Sequence, residues 1–296
     1  MSSSTFRKIS KAVLGIFAFS LISAILLYAI NFKSGSEFTG SGLKNSSDTV
    51  IFKDVGQGDC TVIYSRGRTA IIDTGTPESA HSLCKDLKHL GINEIDALVL
   101  THFHDDHFGG STELSENFIF KNLIIPDISA TDENTDVITE LKKSVLAEDG
   151  EVYTAETGMN FKVGNFTITI IGYYKDSSDE NDKSLCLMAE NSSKKILFTG
   201  DATSATETLL IKDGINIDCD ILKVGHHGSK NSSCEIFLEK CSPEFSVISS
   251  GKDNLYSHPN EETLERLENI KTEILRTDNS GDISFEVKNS KIIKKE

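Results

Sequence analysis

Positive charge is scarce in this sequence. Thirty Lys and Arg face 45 Asp and Glu, for a formal charge of −15. A surface of that sign repels nucleic-acid backbones and anionic lipid unless a local basic patch or a bound cation overrides it. This counts against a dedicated DNA-binding module. The six cysteines form no CxxC pair, so no redox or zinc-ribbon spacing stands out. Cys60, Cys84, Cys186 and Cys219 sit in apolar patterns and read as core residues. Cys234 and Cys241 lie on a predicted helix, where they read as surface thiols whose spacing prevents a mutual bond. Disulfides are permitted if the body lies outside a membrane, but the sequence assigns no connectivity. The body has no internal repeat and no low-complexity stretch.

Acid is missing altogether from the first 30 residues, which leaves −18 on residues 31–296. Within that stretch, Ala12–Ile30 is a run of 19 uncharged, almost wholly apolar residues behind Arg7, Lys8 and Lys11. Such a run can span a bilayer as a helix, and the preceding cations keep the N-terminus cytoplasmic. We read residues 1–11 as a cytoplasmic tail and 12–30 as an uncleaved transmembrane signal anchor. A cleaved signal peptide is the alternative, but its core would be shorter and no small-x-small cleavage site follows. Residues 31–47, rich in Asn, Ser, Gly, Lys and Thr, have linker composition. Residues 48–296 form the body, large enough for one domain, and an apolar content of 38% suffices for a packed core.

From Thr49 the pattern changes to short apolar runs. Val50–Phe52, Thr61–Tyr64 and Thr69–Ile72 are predicted strands broken by glycine turns. Thr76 and Pro77 open a helix with a stripe of Ala80, Leu83, Cys84, Leu87 and Leu90, ended by Gly91. His81 and His89 lie off that stripe and read as solvent-facing. Further strands are expected at 97–100, 123–125, 151–154, 161–163, 166–171, 184–189, 195–199, 220–224 and 245–249. Helices are expected near 135–148, 203–212, 232–241 and after Asn260. Strand clusters with interspersed helices suggest two sheets flanked by helices, an α+β arrangement.

One stretch stands apart: Thr101-His102-Phe103-His104-Asp105-Asp106-His107-Phe108-Gly109-Gly110, following the apolar run Ala97–Leu100. Three imidazoles and two carboxylates within six residues are costly unless they surround a cation. The spacing lets one loop offer nitrogen to one metal and mixed oxygen and nitrogen to a second. Other apolar runs also end in polar residues of this kind. Asp73 follows Ile71-Ile72 and is suited to hold a ligand histidine from behind; on its own it would read equally well as a turn cap. Asp201 follows Ile196–Gly200 and is a candidate bridge between two metals, or an N-cap for the next helix. His226-His227 ends a third run, with one ring for metal and the other for substrate.

These residues resemble the metallo-β-lactamase superfamily over roughly residues 49–290, on the strength of Asp73, His102-x-His104-x-Asp106-His107, Asp201 and His227. Asp54–Cys60, Leu197–Asp201 and Lys223–Ser229, with Asn181–Leu185 and Ser257-His258-Pro259, look like the hydrolase domain of ComEC-type DNA-uptake proteins. The resemblance implies a four-layer αββα sandwich with the site at the sheet edges. It implies two divalent ions, Zn or Mn, one held by His102 and His104 and the other by Asp106 and His107. Asp201 would bridge them, and His227, followed by Gly228, would be a further ligand. His226 would contact substrate or transfer a proton, with Asn181, Ser184 and His258 beside it and Asp59 and Asp73 behind the ligands. The family's usual third histidine for the first metal has no counterpart, since no histidine occurs between Phe108 and Gly225. The channel part of the DNA-uptake proteins has no counterpart either.

The function expected is a membrane-anchored, extracytoplasmic, dinuclear metal hydrolase of phosphoesters or phosphodiesters, with Asp106, Asp201 and His226 as its catalytic side chains. An extracellular DNA nuclease is the runner-up, disfavoured by the acidic charge. A non-catalytic tethered binding domain is the reading from another class, and lactamase activity is a minor option.

Overall fold

The computed structural model describes residues 48–127 and 134–295; the expected tail, anchor and linker lie outside the described residues. Among the described residues no helix is long and apolar enough to cross a membrane.

The first half opens as an antiparallel meander of β1 (Asp48–Phe52), β2 (Thr61–Ser65) and β3 (Arg68–Ile72). Arg66 and Gly67 both take positive φ in the turn between β2 and β3, the conformation a two-residue hairpin needs. Thr76 caps a 3-10 turn, Pro77–Ser79, by accepting from Ser79 N, and the chain continues into α1 (Ala80–His89). Next come β4 (Glu94–Ile95), β5 (Ala97–Val99), α2 (Asp105–Phe108), α3 (Ser111–Asn117), β6 (Ile119–Phe120), β7 (Asn122–Ile125), α4 (Thr135–Ala147) and β8 (Glu151–Thr154). Strands β3, β5, β7 and β8 run parallel.

The second half begins with the antiparallel β9 (Asn160–Val163), β10 (Phe166–Gly172), β11 (Cys186–Asn191) and β12 (Lys194–Phe198). After α5 (Ser204–Lys212) it becomes parallel through β13 (Ile221–Lys223), α6 (Glu235–Cys241), β14 (Phe245–Ile248), α7 (Glu261–Asn269) and β15 (Glu273–Arg276). A short α8 (Thr277–Ser280) leads to β16 (Ile283–Lys288) and β17 (Lys291–Lys294), which return to the first sheet outside β1. The larger sheets have eight strands, β17-β16-β1-β2-β3-β5-β7-β8, and seven, β15-β14-β13-β12-β11-β10-β9.

Three apolar clusters hold four layers together. The central one joins the inner faces of the two sheets: Phe52, Ile63, Ile72 and Val99 meet Ile168, Leu187, Phe198 and Val247. Phe52 packs edge-on to Phe285 with ring centroids 6.1 Å apart, and truncating a buried Phe of this kind costs about 3–5 kcal/mol. On the outer face of the first sheet lie Leu83 and Leu87 of α1, Leu114 of α3 and Ile138, Leu141 and Val145 of α4. On the other outer face lie Leu210, Phe237, Leu238 and Leu267 from α5, α6 and α7. This is the αββα sandwich expected from the sequence.

Two local expectations are corrected. Cys241 is fully buried on the inner side of α6, because that helix turns Phe237, Leu238 and Cys241 to the core, so it is no surface thiol. The strand expected from Ser184 starts at Cys186, leaving Ser184 in the approach to the site. All six cysteines are free.

Candidate metal centre

Four strands end at one edge of the sandwich, and each delivers polar side chains there. β3 ends before Asp73, β5 before the His102 segment, β12 before Asp201 and β13 before His226 and His227. Carboxyl ends of strands at a change in sheet order are where open sheets place their sites. Asp73, His226 and His227 take the left-handed conformation at φ 58°, 49° and 52°. For side-chain-bearing residues this costs of order 1–3 kcal/mol each, and such strain gathers where function requires a special orientation. Gly110 has a different reason to be glycine: a Cβ there would stand 2.3 Å from the carbonyl oxygen of Thr74. That clearance lets α2 and the Asp73 turn lie side by side.

The hydrogen bonds behind the histidines fix which nitrogen faces the site. His227 Nδ1 lies 3.0 Å from Ser249 O, a carbonyl that can only accept. The ring therefore carries a proton on Nδ1 and turns Nε2, the nitrogen a metal would take, toward Asp106 Oδ2 at 3.2 Å and Asp201 Oδ2 at 3.6 Å. His107 Nδ1 is 2.8 Å from Asp73 Oδ2, which leaves His107 Nε2 facing Asp201 Oδ1 at 3.1 Å. Thr101 donates its hydroxyl to Asp73 at 2.8 Å, so the same oxygen is free to accept from His102 Nδ1 at 3.2 Å. Ser184 Oγ is also 3.2 Å from that nitrogen. His102 Nε2 then faces His104 Nδ1 at 3.1 Å. Carboxylates, hydroxyls and carbonyls that orient a ligand imidazole in this way are the usual support of a metal site.

Two groups of ligand atoms result. His102, His104 and Asp201 each offer one, as do Asp106, His107, Asp201 and His227, all within 4.8 Å of one another in each group. Asp201 belongs to both. A third, wholly buried grouping of Asp59, Asp73 and His107 sits behind them. There Asp73 is occupied by Thr101 and His107, and Asp59 by Lys223 at 2.7 Å. The donor set fits divalent cations. His107 Nε2 and Asp201 Oδ1 are buried with each other as nearest partner at 3.1 Å, outside good hydrogen-bond geometry, so their bonding capacity is only partly met. Mixed imidazole and carboxylate donors are the hard-to-borderline set that zinc and manganese take.

The titrations follow from the same packing. Burial, reinforced by neighbouring His107, holds His102 well below the usual imidazole range, so it is uncharged and ready to ligate. Burial pushes Asp201 upward, but His107 and His227 outweigh it and keep the carboxylate ionised. His226 is lowered by burial and by His227. His258 is pushed down to about 4 by burial and then by His226 and His227.

An open cavity of about 630 Å³ lies over the ligand groups, with Asn181, His226, His258, Gln57 and Tyr256 on its walls. His226 and His258 meet edge to face at 5.5 Å. His226, Asn181 and His258 are on the cavity wall. Ser184 is not: it is fully buried and accepts from Asp201 N at 3.0 Å, so it positions His102 and Asp201 rather than lining the cavity. Lys223 and Ser249 were missed by the sequence reading. Lys223 is 2% exposed at the end of an apolar strand, and a lysine inside such a run was the one available signal.

Comparison with known proteins agrees with this geometry. The family described as "Metallo-beta-lactamase superfamily" matches residues 54–252, which include every residue from Asp59 to His227 named above. The chain is 28% identical to ComE operon protein 3 of Bacillus subtilis, covering 93% of this chain and 39% of that protein. It is 31% identical to competence protein ComA of Neisseria gonorrhoeae, covering 78% of this chain and 31% of that protein. The chain thus spans well under half the length of the curated relatives it matches. Among solved structures it is similar to CmlA, a diiron beta-hydroxylase from Streptomyces venezuelae, with a TM-score of 0.59 at 12% identity over 81% of this chain and 54% of that one. It is also similar to the metallo-beta-lactamase fold protein YhfI from Bacillus subtilis, with a TM-score of 0.55 at 13% identity over 80% of this chain and 99% of that one. At these identities the structures speak for the fold alone. With its sequence relatives among the ComEC-type competence proteins, the chain belongs to the metallo-beta-lactamase superfamily.

Proposed function

We propose that the chain is a dinuclear metal-dependent hydrolase of phosphoester or phosphodiester bonds, tethered to a membrane by residues 12–30 with its body on the extracytoplasmic side. The observation that carries this reading is Asp201, which reaches both ligand groups from the floor of an open cavity. Divalent cations held by His102, His104, Asp106, His107, Asp201 and His227 would make water nucleophilic near neutral pH and polarise a phosphoryl oxygen. The chain's own groups do the rest. Asp106 and Asp201 accept hydrogen bonds from the attacking water and orient it. His226 stands 3.6 Å from Asp201 Oδ2 on the cavity side. Its ring N–H can donate a hydrogen bond to a phosphoryl or leaving oxygen in the cavity. Asn181 and His258 are placed to bind the non-reacting part of the substrate. Lys223 is the lysine paired with this cluster among the described residues, at Asp59, so divalent cations would offset the charge of Asp106 and Asp201 for an anionic ester.

The resemblance to DNA-uptake proteins supports a second reading, an extracellular DNA nuclease, which −18 on the body opposes. The test is metal content and turnover of the purified full chain with bis(p-nitrophenyl) phosphate under Zn and Mn, compared with His102→Ala and Asp201→Ala. Turnover lost in both variants supports hydrolysis. DNA cleavage that falls steeply with salt moves the assignment to the nuclease. No bound metal and no turnover under any divalent ion leaves a binding domain only.

A further inference from the structure

The other large cavity lies at the opposite end of the sandwich, about 710 Å³ in volume. Its origin is architectural. Ala97 of β5 and Ile124 of β7 belong to the buried inner cluster, and Ile124 is in register with Tyr153 of β8 across the parallel strands. The second sheet stops at its edge strand β9, so only Met159 and Phe161 lean over them. Exposed Tyr153 and half-buried Met159 and Phe161, above the buried Ala97 and Ile124, give the cavity an apolar floor, within the size range of small-molecule pockets.

The walls carry the opposite character to the rest of the surface. Arg66, Arg68, Lys121 and Lys162 line the cavity and Asp96 is the one acid among the lining residues, in a chain of net charge −15. Arg68 and Lys121 share Asp96, at 2.6 Å and 3.4 Å, and Lys121 also reaches Glu94 at 2.5 Å. Arg66 donates to the uncharged Asn165 at 2.8 Å, while Asp48 nearby accepts from Ser65 and Asn165. Lys162 makes no ion pair among the described residues. Arg66 and Lys162 thus make no direct ion pair among the described residues, with Asp48 within electrostatic reach of Arg66, at the mouth of an apolar pocket on a face where β1 enters the fold opposite Ser65.

We propose that this cavity binds an anionic amphiphile, its acyl chain against Ala97, Ile124, Met159 and Phe161 and its phosphate or carboxylate between Arg66 and Lys162. The proposal is independent of the hydrolytic reading, since none of these residues touches the metal end. A bilayer lipid and a free lipid acid share this chemistry.

Calorimetric titration of the full chain in non-ionic detergent with octyl phosphate, octanol and inorganic phosphate tests it. Octyl phosphate should bind saturably with one site per chain, at least tenfold more tightly than either fragment. Arg66→Glu with Lys162→Glu should weaken it at least tenfold. Met159→Trp, which fills the floor, should do the same, and metal-dependent turnover should stay unchanged in both. Displacement of octyl phosphate by phosphatidylglycerol nanodiscs, but not phosphatidylcholine ones, assigns the bilayer as source, and no displacement by either assigns a free lipid acid. Equal affinity for inorganic phosphate, or for octanol, overturns the proposal. So does affinity unchanged by charge reversal, or displacement by a single-stranded oligonucleotide, which would make this a nucleic-acid surface.

Discussion

The two ends of the sandwich solve the same problem in opposite ways. Both are places where sheet edges open and side chains lose their cover. At the candidate metal end, buried carboxylates and imidazoles converge from four strand termini, and their partly unmet bonding capacity is what would favour a cation there. At the far end, charges stay on exposed rim residues paired loosely with neighbours, and the uncovered surface is apolar. The contrast teaches that a polar group's surroundings, more than its identity, decide its worth. Asp201 and Asp96 are both strand-associated aspartates, yet only the first is held where water cannot satisfy it.

Substitutions at the two ends should therefore differ widely. Asp201→Ala removes the atom common to both ligand groups, so it should lower kcat on the order of 10³-fold and abolish metal binding at both positions. His104→Ala should leave one metal per chain, as measured by elemental analysis. If both variants lose metal equally, Asp201 is no bridge.

Lys223→Met should come next. It leaves Asp59 charged and 5% exposed with its counter-ion gone, which costs roughly 3–5 kcal/mol. Urea unfolding would register that loss, and adding Asp59→Asn should recover much of it. Recovery would show the pair to be a charge-balance element rather than a packing one.

The pH dependence is smaller and has a definite sign. In the metal-free chain burial pushes His227 down, but Asp201 and Asp59 outweigh it and raise it from 6.5 to about 10. A raised imidazole stabilises the fold fully below 6.5 and loses that contribution as pH rises through about 10. Metal must displace this proton, so affinity should climb by up to about tenfold per pH unit across that window. Calorimetry at pH 7 in buffers of different ionisation enthalpy should show proton release. A buffer-independent heat would rule it out.

The smallest effect belongs to the far end. Arg68→Ser breaks a pair in which the arginine is 55% exposed, worth about 0.2–1 kcal/mol. Stability should barely move and turnover should not move at all.

Much of the metal end is legible in the sequence because its signals are local. The spacing of His102, His104, Asp106 and His107 sits within six residues, and Asp73, Asp201 and His226-His227 each follow an apolar run that ends abruptly. The supporting contacts are not legible, since they depend on neighbours far along the chain. Ser184 lies behind His102 only because the start of β11 in one sheet meets the segment after β5 in the other, where Leu185 N donates to Thr101 O, and Lys223 is tolerated in the interior only because Asp59 comes to meet it. Cys241 was misread for the same reason: a polar-looking helix pattern does not reveal which side α7 will cover. The far cavity left no trace in the sequence, because it arises from where β9 stops, not from any motif.

The return of β16 to the outer side of β1 has a consequence for how the molecule is made. Until residues 283–288 leave the ribosome, β1 presents an open edge, and Lys53 and the backbone of Asp54 await their partner Asp282. Asp59, which props His227, follows a few residues on. The cover of β1 is thus made after every candidate ligand, and a nascent chain stalled before residue 283 carries them all but lacks that strand.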